Sequence, residues 1–241
     1  MPFDREASPQ TTQQPAEEVE TATPPQNRVQ FSSRGAIPDV GGDRGSSAQS
    51  ASQRGFGAVQ MKGELPKGEE GFANMWANHP HNGQEDESQN TDSETVLDEH
   101  GLPKEYANTC AIRLSIMLNG IGQTITPAKT KAAGIARAPH YSKKTKQYYI
   151  LAASEVWKYI ANTFRKADVA FPKAGRYKDA AAFQEGFEKD IKPAVAGKHG
   201  IVAFDKIFSY SGTGHMDLFD GEKLSDSSGW YEAQRIELWY I

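Results

Sequence analysis

Apolar residues follow the helical period through the middle of this chain and the strand period at its end. Phe72, Met75 and Trp76 recur at helical spacing in GFANMWANHP (71–80), and Pro80 stops that segment. Cys110, Leu114, Met117, Leu118 and Ile121 predict a helix with one apolar face. It begins around Asn108 to Cys110, and Gly120 and Gly122 mark its end. Residues 152–167 form a further amphipathic helix carrying Val156, Trp157, Ile160 and Phe164, and residues 178–190 another on Phe183 and Phe187. From Gly200 the texture changes to short β-type runs: GIVAFDKIF, GHMDLFDGEKLSD and RIELWYI. Helices first and strands last predict an α+β fold with helices packed on an antiparallel sheet. Between these elements, QEDESQNTDSETVLDEHG (84–101) reads as an acidic surface loop and the basic, proline-broken 127–149 as a second loop.

Composition adds a boundary. All four Trp and all nine Tyr lie beyond residue 71, so one buried domain is expected over 71–241. Residues 1–70 are rich in Gln, Ser, Thr, Pro and Gly and read as a disordered leader, either a linker or a recruitment tail. The net charge of −4 argues against nucleic acid, including a site on Lys129–Lys146. The opening MPFDREASPQTTQQPAEEVE has no apolar core of a signal peptide, and no run of about 18 apolar residues exists to insert in a membrane. The expected product is soluble, and any export reads no such signal. One cysteine excludes an intramolecular disulfide and a thiolate-rich zinc site.

That cysteine is also the first chemical candidate. A helix N-terminus and a neighbouring imidazole both stabilise a thiolate, and Cys110 falls at the first turn of its helix. It also falls on the apolar stripe, so position alone favours a core thiol. Of six histidines, His79 and His81 in HPHN make at most an unspecific metal pair, while His100, His140 and His199 sit in polar loops or beside a strand. His215 stands out, between glycines and an alternating strand. Asp220-Gly221 reads as a two-residue hairpin turn, pairing 219 with 222 and setting His215 opposite Asp226. Facing residues lie roughly 5 Å apart, so Asp226 is placed to orient the imidazole. Asp217, on the same strand face as His215, is the rival.

These motifs resemble the type VI secretion amidase effectors of family four, papain-like cysteine peptidases related to the NlpC-type cell-wall hydrolases. The likeness rests on CAIRLS from Cys110, GHMDLFDG around His215 and LSDS containing Asp226, with FANMWANHP matching an N-terminal helix. It implies a peptidoglycan DL-endopeptidase cutting the γ-D-Glu–meso-diaminopimelate bond of the stem peptide. Cys110 is then the nucleophile, His215 the base and acid, and Asp226 the orienting group. Arg113, Gly214 and Asp217 are candidate substrate contacts, Arg113 also reading as a structural ion pair. No metal or cofactor is required. A cognate immunity protein blocks the cleft, the leader offers a surface to the secretion machinery, and the toxin acts in a target bacterium's periplasm. The competing expectations are a catalytically inactive module binding peptidoglycan or a partner, and a housekeeping cell-wall cysteine hydrolase.

Overall fold

A computed structural model describes residues 63–241, apart from 83–87, 89, 107, 213 and 228. Residues 1–62 of the expected leader lie outside the described residues. The described chain already packs ahead of the expected boundary at 71, with Leu65 buried and the first helix starting at Gly68.

Helix α1 (Gly68–Asn78) carries Glu69 and Glu70 in its first turn, where carboxylates meet the positive helix end, and buries Phe72 and Met75. Helix α3 (Cys110–Gly120) is the hub. The apolar stripe read from sequence is only part of its buried surface. Ile112, Arg113, Ser115 and Asn119 are buried as well, because the helix is enclosed from several sides. One side joins α1, α5 (Ala153–Thr163) and the sheet through Leu114, Met117, Leu118, Val156, Ile160 and Met216. Another side joins α2 (Ser93–Glu99) through Ile112, Val96, Leu97 and Tyr149. Each fully buried aliphatic side chain here contributes about 1.5–3 kcal/mol.

The expected surface loops contain more structure than predicted. Within the acidic segment, Asp92 accepts a hydrogen bond from the Thr95 N–H and caps α2, which is held by burial of Val96 and Leu97. At the start of the basic segment, the preceding Thr126 caps α4 (Pro127–Ala132), with Pro127 at the first turn where its missing N–H costs nothing. A short ladder follows, β1 (His140–Tyr141) with β2 (Tyr148–Tyr149).

The main sheet is antiparallel, in the order β3-β6-β4-β5. Its strands are β3 (Val169–Phe171), β4 (Gly200–Ile207), β5 (His215–Phe219) and β6 (Ala233–Tyr240). One face packs on α1, α3 and α5 through Ile201, Ala203, Met216, Leu218 and Trp239. The other face packs Val202, Phe204, Phe219, Ile236 and Leu238 against α6 (Ala180–Gly186), the π-helical turn Phe187–Ile191 and α7 (Lys192–Val195). The expected architecture of helices on an antiparallel sheet therefore holds, with α1, α2, α3, α4 and α5 ahead of the main strands and α6 and α7 between β3 and β4.

The strand β5 lies at the end of the sheet, and its register with β4 sets Phe204 opposite His215. Gly214 precedes it with φ +113°, and a Cβ there would meet the Phe204 carbonyl oxygen at 2.4 Å. Only glycine lets the chain enter β5 this closely.

Candidate active site

Three stretches distant in sequence meet at one end of the sheet: 79–82 after α1, 108–113 at the start of α3, and 215–226 through β5 and its return. Cys110 opens α3 and is only 3% exposed. The hydroxyl of Thr109, the residue before it, does not cap the helix. It contacts the Ser93 hydroxyl at 2.9 Å and accepts from Arg113 Nε at 3.0 Å. Asn108 Oδ1 reaches the Cys110 N–H at a long 3.4 Å. The thiol therefore stands at a helix N-terminus whose first donors are weakly engaged among the described residues.

His215 is buried beside it. Its Nε2 lies 3.3 Å from Asp217 Oδ2, and its ring centroid is 4.5 Å from that of Tyr231. Burial pulls the imidazole down, but hydrogen bonds with Asp217 and with Cys110 outweigh it and hold His215 well above the usual histidine range. Asp217 is buried outright, and accepts from Ser225 Oγ at 2.5 Å, from the Leu218 N–H at 2.7 Å and from the Asp226 N–H at 2.9 Å. Burial pushes its carboxyl up, yet the hydrogen bond and charge of His215, with the Ser225 hydroxyl, bring it below the ordinary carboxylate value.

The two aspartates thus exchange the positions expected of them. Phe219 bridges Leu224 rather than residue 222, and the Ser225 N–H donates to the Leu218 carbonyl at 3.0 Å. The turn is displaced by one position. Asp220 Oδ1 accepts from the N–H groups of Glu222 and Lys223, so Gly221, at φ +104°, takes the first central place. Continued along the strand, this register sets Asp226 opposite Asp217 and leaves His215 to Asp217. Asp226 instead forms an ion pair with Arg113, Oδ1 to Nε at 3.1 Å. Burial raises the Asp226 carboxyl to about 6; Arg113 works against that shift and the Asp217 charge works with it.

Neither Arg113 nor Asp217 is placed to touch a substrate, since both are fully buried. The Arg113 guanidinium donates to the carbonyls of Pro80 (2.9 Å), His81 (3.3 Å) and Thr91 (2.7 Å), tying that segment onto α3. Gly214 serves the backbone path. The open surface is a cavity of about 580 Å³, bordered by Asn82, Asn108, Tyr210, His215, Asp226 and Tyr231. Asn108 Nδ2 donates to the Tyr210 hydroxyl across it. Sequence reasoning missed Ser225 and the role of His79. His79 Nδ1 lies 3.0 Å from Ser225 Oγ. Among the described residues, no group of three or more metal-ligating side chains converges.

A thiol, an imidazole and a buried carboxylate gathered beside a cavity are the residue types that nucleophilic acyl transfer uses. Residues 106–239, more than half of the chain, match the family described as Type VI secretion system (T6SS), amidase effector protein 4, or Tae4. The chain belongs to this family of amidase effectors. Among solved structures it is similar to Tae4 in the Tae4–Tai4 effector–immunity complex from Enterobacter cloacae, with 19% identity, TM-score 0.46, and coverage of 70% of this chain and 97% of that one. It is also similar to Tae4 from the Salmonella Typhimurium complex, with 22% identity, TM-score 0.43, and coverage of 70% and 97%. No curated protein sequence matches it significantly.

Proposed function

We propose that this amidase effector hydrolyses the γ-D-Glu–meso-diaminopimelate bond of the peptidoglycan stem peptide through a Cys110 thioester. The observation that carries the reading is the grouping of His215, whose Nε2 lies 3.3 Å from Asp217 Oδ2, with Cys110 at the start of α3, near enough to help raise the imidazole above its ordinary range. Protonated His215 is the counter-ion that a nucleophilic thiolate requires. The thiolate attacks the γ-carbonyl carbon, and the developing oxyanion faces the uncapped N–H groups at the α3 start. Collapse breaks the C–N bond while His215 gives its proton to the departing amine. Water then enters, His215 accepts its proton, and the thioester splits to the glutamyl carboxylate and the restored thiolate.

In this reading Asp217 holds and charges the imidazole. Asp226, bordering the cavity, keeps Arg113 in place and presents a carboxyl that burial raises to about 6. The same reading makes residues 71–241 the catalytic domain and residues 1–70 a leader that meets the secretion machinery. Delivery is into the periplasm of a target bacterium, where a cognate immunity protein blocks the cavity. The deciding experiment is mass spectrometry of purified peptidoglycan after digestion. Wild type should release fragments cut between D-Glu and diaminopimelate, and Cys110→Ala and His215→Ala should release none while remaining folded. Cleavage by either variant, or cleavage at another bond, overturns the assignment.

A further inference from the structure

The proposed chemistry leaves the buried His79 without a task. His79 follows the last turn of α1, is 2% exposed, and is not among the residues that border the cavity. Its Nδ1 lies 3.0 Å from Ser225 Oγ, and Ser225 Oγ lies 2.5 Å from Asp217 Oδ1. The protons in this chain can be assigned. An ionised carboxylate only accepts, so the single Ser225 hydroxyl proton goes to Asp217. Ser225 Oγ must then accept from His79, which fixes the Nδ1–H tautomer. Nε2 has no hydrogen-bond partner among the described residues, so the polar contact of the ring runs through Nδ1.

We infer that His79 is a positioning residue of the reaction, acting through Ser225 to hold Asp217 against His215. The ring is well placed for this because the backbone that follows it is fixed. The Asn82 N–H donates to the Ser225 carbonyl at 2.8 Å, and Arg113 donates to the carbonyls of Pro80 and His81. A neutral donor also suits the site. It directs the hydroxyl proton toward Asp217 without bringing in a second cation to compete with His215 for the carboxylate charge. Burial keeps His79 neutral, lowering it to about 3. With an acceptor in place of Nδ1–H, the Ser225 proton would turn away from Asp217 and the carboxylate would lose its shortest donor.

The inference rests on the acyl-transfer reading, and its test separates the two. Four full-length proteins are compared: wild type, Ser225→Ala, His79→Leu and His79→Asn, the last keeping an N–H near the position of Nδ1. Muropeptide hydrolysis gives kcat and KM, and the pH dependence of Cys110 alkylation by iodoacetamide gives the state of the thiol without any substrate. Ser225→Ala and His79→Leu should lower kcat roughly ten-fold at unchanged KM and move the acid limb of alkylation up by about one pH unit. His79→Asn should restore most of both. Equal losses in His79→Leu and His79→Asn, or an alkylation profile indifferent to all three substitutions, overturn the relay. Shifted alkylation profiles in a wild type that cuts no muropeptide leave the relay standing and remove the substrate assignment instead.

Discussion

His215 and Asp217 stand two residues apart on β5, their side chains on one face, with Nε2 3.3 Å from Oδ2. The imidazole is therefore oriented from within its own strand. The carboxylate that does so is already held by Ser225 and two backbone N–H groups.

Replacing Asp217 by Asn should remove the charge opposite the imidazolium and cost about 100-fold or more in turnover. The acid limb of Cys110 alkylation should move upward with it. Asp226→Asn should leave that limb in place, and any loss of turnover should come with lower stability through the released Arg113. An Asp226→Asn profile that moves while that of Asp217→Asn does not would return the orienting role to Asp226.

Arg113→Met leaves Asp226 buried without its ion-pair partner and three carbonyls without their donor. A loss of about 3–5 kcal/mol is expected in urea unfolding. The double variant with Asp226→Asn should recover part of it, because the uncompensated charge has gone.

Gly214→Ala combines a left-handed φ with a Cβ set against the Phe204 carbonyl. Stability should fall by about 2 kcal/mol or more. Turnover should fall as well, since the displaced residue is next to His215. Differential scanning calorimetry and a muropeptide assay measure the two effects.

His79 makes the protein sensitive to acid. Its folded value of about 3 lies below the ordinary 6.5, so in that window the unfolded chain binds a proton that the folded chain refuses. The stability it contributes is complete above 6.5 and is lost as pH falls toward 3. Between neutral pH and about pH 5 the loss is about 2 kcal/mol. His79→Asn lacks this dependence, so its stability relative to wild type should rise by that amount on acidification. Asp226 works in the opposite sense but is common to both proteins, and cancels. Urea titrations at two pH values decide it.

The helix carrying Cys110 was legible because its apolar spacing survives burial, although no one-sided pattern announces that α3 is enclosed from several sides. The long strands were legible for the same reason. Strand β3, at three residues, is too short to carry a period, and α2 and α4 were lost to net charge although Asp92 and Thr126-Pro127 are ordinary start signals. The aspartate exchange has a more local cause. Asp-Gly suggested a turn centred on both residues, but the Asp220 side chain caps the two N–H groups after Gly221 and moves the centre one place along. That single step carries Asp226 past His215. His79 and Ser225 are 146 residues apart, and no spacing rule connects them.

A chain with one sulfhydryl can also be counted by it. Every equivalent of an alkylating reagent taken up reports one occupied Cys110, so a preparation can be standardised by titration before any substrate is chosen. Resistance to reduction follows as well: with no second cysteine in the chain to close a bridge, the fold has no internal cystine for a reductant to open, and thiol-preserving buffers keep the thiol intact without loosening the scaffold around it.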